Sequence, residues 1–185
     1  NGNLSVRMAQ DNEELTTLDG VKRYLSNDDI VITSDDKAIG LAGVMGGMET
    51  EVSENTKNIF IESAIFDSIS IRLTSKKILR SEASNRFEKG IDPKRTYMAI
   101  ERSAKLLCEL AGGVVSDKLL EYNTLEIKDK VIDINVNEIN NLLGLNIPHD
   151  EIVDIFKRLG FMVNEDKNNL QVVVPTRRIL LLKKI

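Results

Sequence analysis

Asp92-Pro93, followed by Ile100, Ala104, Leu107, Cys108 and Ala111 and closed by Gly112-Gly113, is the strongest conformational signal in the chain. Aspartate accepts a hydrogen bond from a first-turn amide, and proline's fixed φ suits the first helical position. Glycine past the end tolerates the left-handed turn that stops a helix. Spacings of three and four residues put the apolar set on one face. An amphipathic helix is therefore predicted from Pro93 to the glycines. It separates two regions that read quite differently.

Upstream, residues 1–75 read mostly as β. Leu4–Met8 forms a short strand, and Thr16–Leu18 runs into an Asp19-Gly20 turn. Asp29–Thr33, with Ile30, Val31 and Ile32 consecutive, reads as a buried strand and precedes the turn Ser34-Asp35-Asp36-Lys37. Ala38–Val44 is another strand, with glycines where large side chains would be expected, and Asn58–Ser63 a further one that ends in a carboxylate. Ile65–Leu73 fits a strand or a short helix equally. Downstream, Val131–Val136 is a strand, and Asn137 caps a short helix that presents Ile139, Leu142 and Leu143 and ends at Gly144. A second helix opens at Pro148-His149-Asp150 and ends at Gly160, and Phe161–Asn164 pairs with Leu170–Val174 as a hairpin. The expected class is α+β. A mixed, β-rich domain over 1–120 is followed by a small winged-helix-like α/β module over 121–185.

Composition narrows the function classes. The 185 residues are 42% hydrophobic and 29% charged, so a core, or two small ones, can be buried. A formal net charge of −4 argues against a broad nucleic-acid-binding face, though not against a local one. The single cysteine, Cys108, permits neither a disulfide framework nor a thiolate metal cluster and suits a reducing, cytoplasmic setting. No apolar run reaches bilayer length, and NGNLSVRMAQDNEE lacks signal-peptide character, so no membrane partner is expected. Without an initiator methionine, the chain reads as a piece of a longer one, with a truncated C-terminal module.

Three features could carry chemistry. In GVMGGMETEV, Gly46 and Gly47 follow a strand but precede no evident helix, which fails the context for a dinucleotide or P-loop site. They either admit a ligand to bare backbone or simply serve a turn. Glu62, after Ile59-Phe60-Ile61, is either a site residue or a solvated strand end. The stretch LRSEASNRFEKGIDPKR is nearly devoid of apolar side chains. Ser81 and Ser84 can hydrogen-bond a polar ligand and Ala83 leaves room for one, or the whole stretch is a lead-in to the helix. Arg86 with Glu88, or Lys89 with Asp92, could equally be local ion pairs that fix the stretch before the helix. His149, the only histidine, reads as a solvated first-turn residue, and no acid–base triad or metal-ligand cluster is visible.

LDGV (18–21), GLAGVMGGMETEV (40–52), NIFIESAIFD (58–67), IRLTSKK (71–77) and LRSEASNRFEKGIDP (79–93) together resemble the bacterial phenylalanyl-tRNA synthetase β-subunit family. The match runs through nearly the whole chain in the family's order. It implies that the first domain is the C-terminal part of a tRNA-editing domain and that the module after about residue 120 is the small domain behind it. The parent enzyme implied is an α2β2 heterotetramer that attaches phenylalanine to tRNA(Phe) with ATP and magnesium. The metal and nucleotide belong to the α subunit's synthetic site, so no cofactor is expected in this chain.

The resemblance also implies site residues. Glu62 stands at the family's glutamate that recognises the tyrosine hydroxyl, and Gly46 and Gly47 at the glycine pair lining the editing pocket. Ser81 stands where the family has threonine or serine, and Ala83 where it has a small residue beside the substrate. The family's editing histidine and arginine would fall before Asn1, so catalytic residues are not assigned and the isolated chain is expected to deacylate poorly. The implied reaction is hydrolysis of mischarged Tyr-tRNA by a positioned water, without a covalent nucleophile. Two stretches depart from the family pattern. Lys77-Ile78-Leu79-Arg80 is one residue short of KLGLR, and the tail TRRILLLKKI replaces an acidic continuation. A different class of reading is a non-catalytic module that binds an amino acid or partner, with Arg177, Arg178, Lys183 and Lys184 as a basic end. A third is a freestanding trans-editing hydrolase.

Overall fold

The computed structural model describes residues 3–116, 119–125 and 128–178. The chain divides into two compact units, Asn1–Ile91 with Arg95–Val115, and Asp92–Lys94 with Ser116–Ile185. Both contain helices and antiparallel sheets, so the class is α+β.

The first unit is built on four antiparallel strands in the order β1-β4-β5-β6: β1 (Leu4–Met8), β4 (Ile30–Ser34), β5 (Lys37–Leu41) and β6 (Met45–Gly46). A two-stranded ribbon, β2 (Glu14–Thr16) with β3 (Lys22–Tyr24), lies between β1 and β4 in sequence. Asp35 and Asp36 both take left-handed φ, of 47° and 66°, which lets β4 reverse into β5 in a tight turn. Alternation sorts the sheet into two faces. Val31, Ala38 and Leu41 join Ala9, Leu15, Leu25, Val44 and Ile71 in the core, while Ile32, Gly40 and Gly46 point the other way. Thr17 bridges Gly47, so the ribbon extends the sheet past β6.

Three helices follow. The segment left open over Ile65–Leu73 is helical from Ser68: α1 (Ser68–Lys77) is capped by Asp67, whose carboxylate accepts the Ser70 amide at 2.8 Å. The polar stretch after it is a helix rather than a loop, α2 (Glu82–Phe87). Its apolar poverty hid it, because hydrophobic spacing is silent on a six-residue helix fixed by caps. Then comes α3 (Pro93–Ala111), whose Asp92 carboxylate accepts the Lys94 amide at 3.1 Å and whose end is followed by Gly112 at φ 63°. The strand expected over Asn58–Ser63 is irregular backbone. A strand needs a ladder partner, and no described strand pairs with this one; Phe60 stays 78% exposed.

The second unit contains β7 (Lys130–Asn135), α4 (Val136–Leu143), α5 (His149–Arg158), β8 (Met162–Asp166) and β9 (Asn169–Val174), with sheet order β7-β9-β8. Its helix cap is Asn135, not Asn137: the Asn135 side chain accepts the Asn137 amide at 2.9 Å. Gly144 ends α4 at φ 66°. Val136, Ile152, Val153, Leu170, Val172 and Val174 form a separate core. Among the described residues, no helix is long and apolar enough to cross a membrane.

Candidate functional site

The sheet face that carries Ile32, Gly40 and Gly46 forms one side of a cavity of about 470 Å3 in the first unit. Four pieces of chain enclose it. The β5–β6 connection contributes Gly43 and Val44, the irregular segment Glu62, Ser63, Ala64 and Phe66, helix α2 Ala83 and Phe87, and the start of α3 Arg95, Thr96 and Ala99. Phe66 and Phe87 face each other with centroids 5.5 Å apart. The lining is mainly apolar, with one carboxylate and one guanidinium.

Local structure explains how each wall is held. Asp29 ties the sheet to α1, accepting hydrogen bonds from Thr74 Oγ1 at 2.7 Å and Lys77 Nζ at 2.6 Å. From α1 the chain passes directly into α2, which the Ser81–Ser84 capping box starts: the Ser84 amide donates to Ser81 Oγ and the Ser81 amide to Ser84 Oγ. Ser81 Oγ in turn donates to the Val44 carbonyl at 2.6 Å. That bond clamps the α2 start onto the β5–β6 connection and sets Ala83 and Phe87 over the sheet. On the opposite wall, Ser63 Oγ donates to the Thr96 carbonyl at 2.8 Å, which holds the irregular segment against α3.

The residues singled out in the sequence divide accordingly. Gly46, Glu62 and Ala83 lie on the lining together, although they come from a strand, an irregular segment and a helix. Gly47 and Ser81 stand outside it, in the frame. Gly47 donates its amide to the Ile39 carbonyl at 2.8 Å, and a Cβ there would sit 2.5 Å from that oxygen. Ser81 is engaged as helix cap and clamp. Of the expected ion pairs, Arg86 meets Glu82 rather than Glu88, at 3.7 Å between two exposed side chains, and Asp92 accepts the Lys94 backbone amide, while Lys94 Nζ pairs with Asp129 at 2.7 Å. His149 belongs to the second unit, with Nδ1 3.2 Å from Asp150. Lys183 and Lys184 lie outside the described residues, and Arg177 donates to the Gly160 carbonyl at 3.1 Å.

Electrostatics single out Glu62. No described residue donates a hydrogen bond to its carboxylate or pairs with it, and burial alone lifts its pKa above the ordinary carboxylate value. Glu62 is an exposed residue on the open side of the cleft, so water reaches its side chain, while the protein crowded around the carboxyl still disfavours its charged form. An unpaired carboxylate in such a place gains by accepting a hydrogen bond from a ligand. Phe66, Phe87 and Arg95 escaped the sequence reading. Local spacing does not distinguish the aromatic pair from core residues, or Arg95 from any other charge on a helix. Only the way the chain folds back brings them to Glu62's cavity. Among the described residues, no group of three or more His, Cys, Asp or Glu side chains is placed to hold a metal ion.

Comparison with known proteins accounts for both units. Residues 1–112 match the B3/4 domain model, and residues 132–185 match the tRNA synthetase B5 domain model. The phenylalanine–tRNA ligase β subunit of Bacillus subtilis is 47% identical over 174 residues, which is 94% of this chain and 22% of that protein. The β subunit of Bacillus licheniformis is 45% identical over 174 residues, again 94% and 22%. That of Streptococcus pneumoniae is 40% identical over 176 residues, 95% and 22%. The chain thus spans about a fifth of the length of the curated relatives it matches.

Proposed function

From the premise that this chain belongs to the B3/4 domain family and corresponds to a segment of the phenylalanine–tRNA ligase β subunit, we propose that its first unit contributes the pocket that hydrolyses mischarged Tyr-tRNA. The observation that carries this reading is the convergence of Gly46, Glu62 and Ala83 on one cavity walled by Phe66 and Phe87. Such a cavity accepts an aromatic amino acid, and Glu62 reads whether the ring carries a hydroxyl.

The physical logic is asymmetric. Tyrosine's hydroxyl donates to the Glu62 carboxylate, which no described residue pairs, and replaces the water that the ligand displaces. Phenylalanine occupies the same space, displaces water from the carboxylate and offers it no donor in return. A hydrogen bond to a charged group contributes about 1.5–3 kcal/mol, which discriminates by roughly 10- to 150-fold. Ala83 keeps the α2 wall low, and Ser81 and Gly47 hold that wall and the sheet in register without touching the ligand. Hydrolysis proceeds by attack of a positioned water on the ester, so no side chain of this unit forms a covalent intermediate. The parent assembly is an α2β2 heterotetramer in the cytoplasm, acting on tRNA(Phe) with ATP and magnesium at the α subunit.

The test uses the complete α2β2 enzyme. Wild type is expected to deacylate Tyr-tRNA(Phe) much faster than Phe-tRNA(Phe). Glu62→Ala is expected to erase that preference while aminoacylation continues at the wild-type rate. Unchanged Tyr-tRNA hydrolysis in Glu62→Ala would remove Glu62 from the site.

A further inference from the structure

The glycines of residues 40–47 do not share one reason for being glycine. Gly43 has φ 66°, and a Cβ there would lie 3.0 Å from Ile71 Cδ1. Gly47 abuts the Ile39 carbonyl at 2.5 Å. Backbone and packing therefore demand glycine at both. Gly40 differs. Its φ is not left-handed, and the nearest atoms to a Cβ built on it would be Gly46 Cα at 3.6 Å and the Gly47 nitrogen and Met45 oxygen at 3.9 Å. These are ordinary van der Waals contacts. A register shift between Ile32 and Thr33 makes Ile39 the extra residue of a bulge, but Gly40 beside it keeps a conformation any residue adopts.

Glycine inside a strand weakens it, so a strand glycine that folding does not require marks close approach by something else. The register shows what is approached. Val6, Ile32, Gly40 and Gly46 form one row across the four strands, on the face opposite the core. Gly40 and Gly46 are direct cross-strand partners, so they form a patch without side chains, with Ile32 on one side and Leu18 on the other. Ile32, Gly40 and Gly46 all line the cavity that holds Glu62.

We propose that Gly40 is a specificity-determining residue: the substrate's aromatic ring lies flat on the Gly40–Gly46 patch, and the missing Gly40 side chain sets the depth at which the ring sits relative to Glu62. This rests on reading the cavity as an aromatic amino-acid pocket. A methyl group at position 40 raises the floor, and a branched side chain fills the space the ring occupies. Both substitutions suit a strand better than glycine does. Activity and stability therefore move in opposite directions, which a purely structural glycine would not do.

The experiment compares wild type, Gly40→Ala and Gly40→Val in the complete α2β2 enzyme. It measures Tyr-tRNA(Phe) deacylation, phenylalanine attachment, thermal unfolding, and binding of a non-hydrolysable 3′-tyrosylamido-adenosine. Gly40→Ala is expected to raise KM for Tyr-tRNA severalfold. Gly40→Val is expected to lose deacylation and analogue binding by tenfold or more. Aminoacylation and melting temperature should be unchanged or higher in both. Wild-type deacylation and analogue affinity in Gly40→Val would overturn the inference. So would a loss confined to Gly40→Val that is accompanied by a lower melting temperature. If wild type binds the analogue without deacylating Tyr-tRNA, the hydrolytic reading fails, and the inference still stands or falls on the Gly40→Val binding ratio. A wild type that does neither overturns both.

Discussion

Replacing Asp29 tests whether the cavity's frame depends on one buried carboxylate. Asp29 is 1% exposed at the start of β4. Its carboxylate accepts hydrogen bonds from Lys77 Nζ at 2.6 Å, Thr74 Oγ1 at 2.7 Å and the Ser26 amide at 2.9 Å. Burial by itself would raise its pKa. The Lys77, Ser26 and Thr74 bonds outweigh burial and hold it below the usual aspartate value. Removing one member of a buried ion pair costs about 3–5 kcal/mol. Because the Lys77 side chain is 46% exposed and can return to water, Asp29→Ala should fall near the lower end, about 3 kcal/mol. Set against a total stability of about 5–15 kcal/mol for a domain, that is a large fraction. With a urea m-value of about 2 kcal/mol/M, the midpoint followed by circular dichroism should drop by roughly 1.5 M. Lys77→Met, which strands the buried charge, should cost more than Thr74→Val. The pH dependence has a fixed sign. A depressed folded pKa stabilises above the unfolded value of about 3.9, and that stability is lost as pH falls through the folded pKa. The gap between wild type and Asp29→Asn should therefore close in acid. A midpoint shift under roughly 0.5 M, about 1 kcal/mol, would refute the reasoning.

Other perturbations separate frame from pocket. Ser81→Ala removes both the cap of α2 and the bond to the Val44 carbonyl, and should cost about 1–2 kcal/mol in thermal unfolding, with Ser81→Thr largely restoring it. Gly47→Ala drives a methyl group into the Ile39 carbonyl and should cost about 1–3 kcal/mol by urea titration, whereas Gly40→Ala should cost nothing. Glu62→Gln should make the fold more stable at neutral pH. A carboxyl whose folded pKa is raised costs stability once pH rises past its unfolded value, so the gain over wild type should vanish toward pH 4. Equal unfolding midpoints at pH 7 would show that burial does not strain Glu62.

The sequence by itself determined what neighbouring residues decide. Asp92-Pro93 and Gly112 bounded α3, paired aspartates made the β4–β5 turn, and alternating or helical spacing marked β1, α4, α5 and the last hairpin. Each of these is settled within a few positions by capping, φ preference or the period of apolar residues. Family motifs also pointed to Gly46, Glu62 and Ala83. Tertiary structure alone decided what each residue is for. Nothing local makes Gly47 a packing necessity and leaves room for a Cβ at Gly40, because the difference lies in the Ile39 carbonyl and the Gly46 Cα across the ladder. Ser81 looked like a ligand contact in a polar loop. Its hydroxyl also donates to a carbonyl 37 residues away, a contact no local spacing shows. Glu62 looked like a strand end, yet no described strand pairs with its segment. What defines it is the cavity around it, closed by Phe66, Phe87 and Arg95 from three separate stretches of chain. A cavity is a property of contacts between distant segments, and no spacing along the chain encodes it.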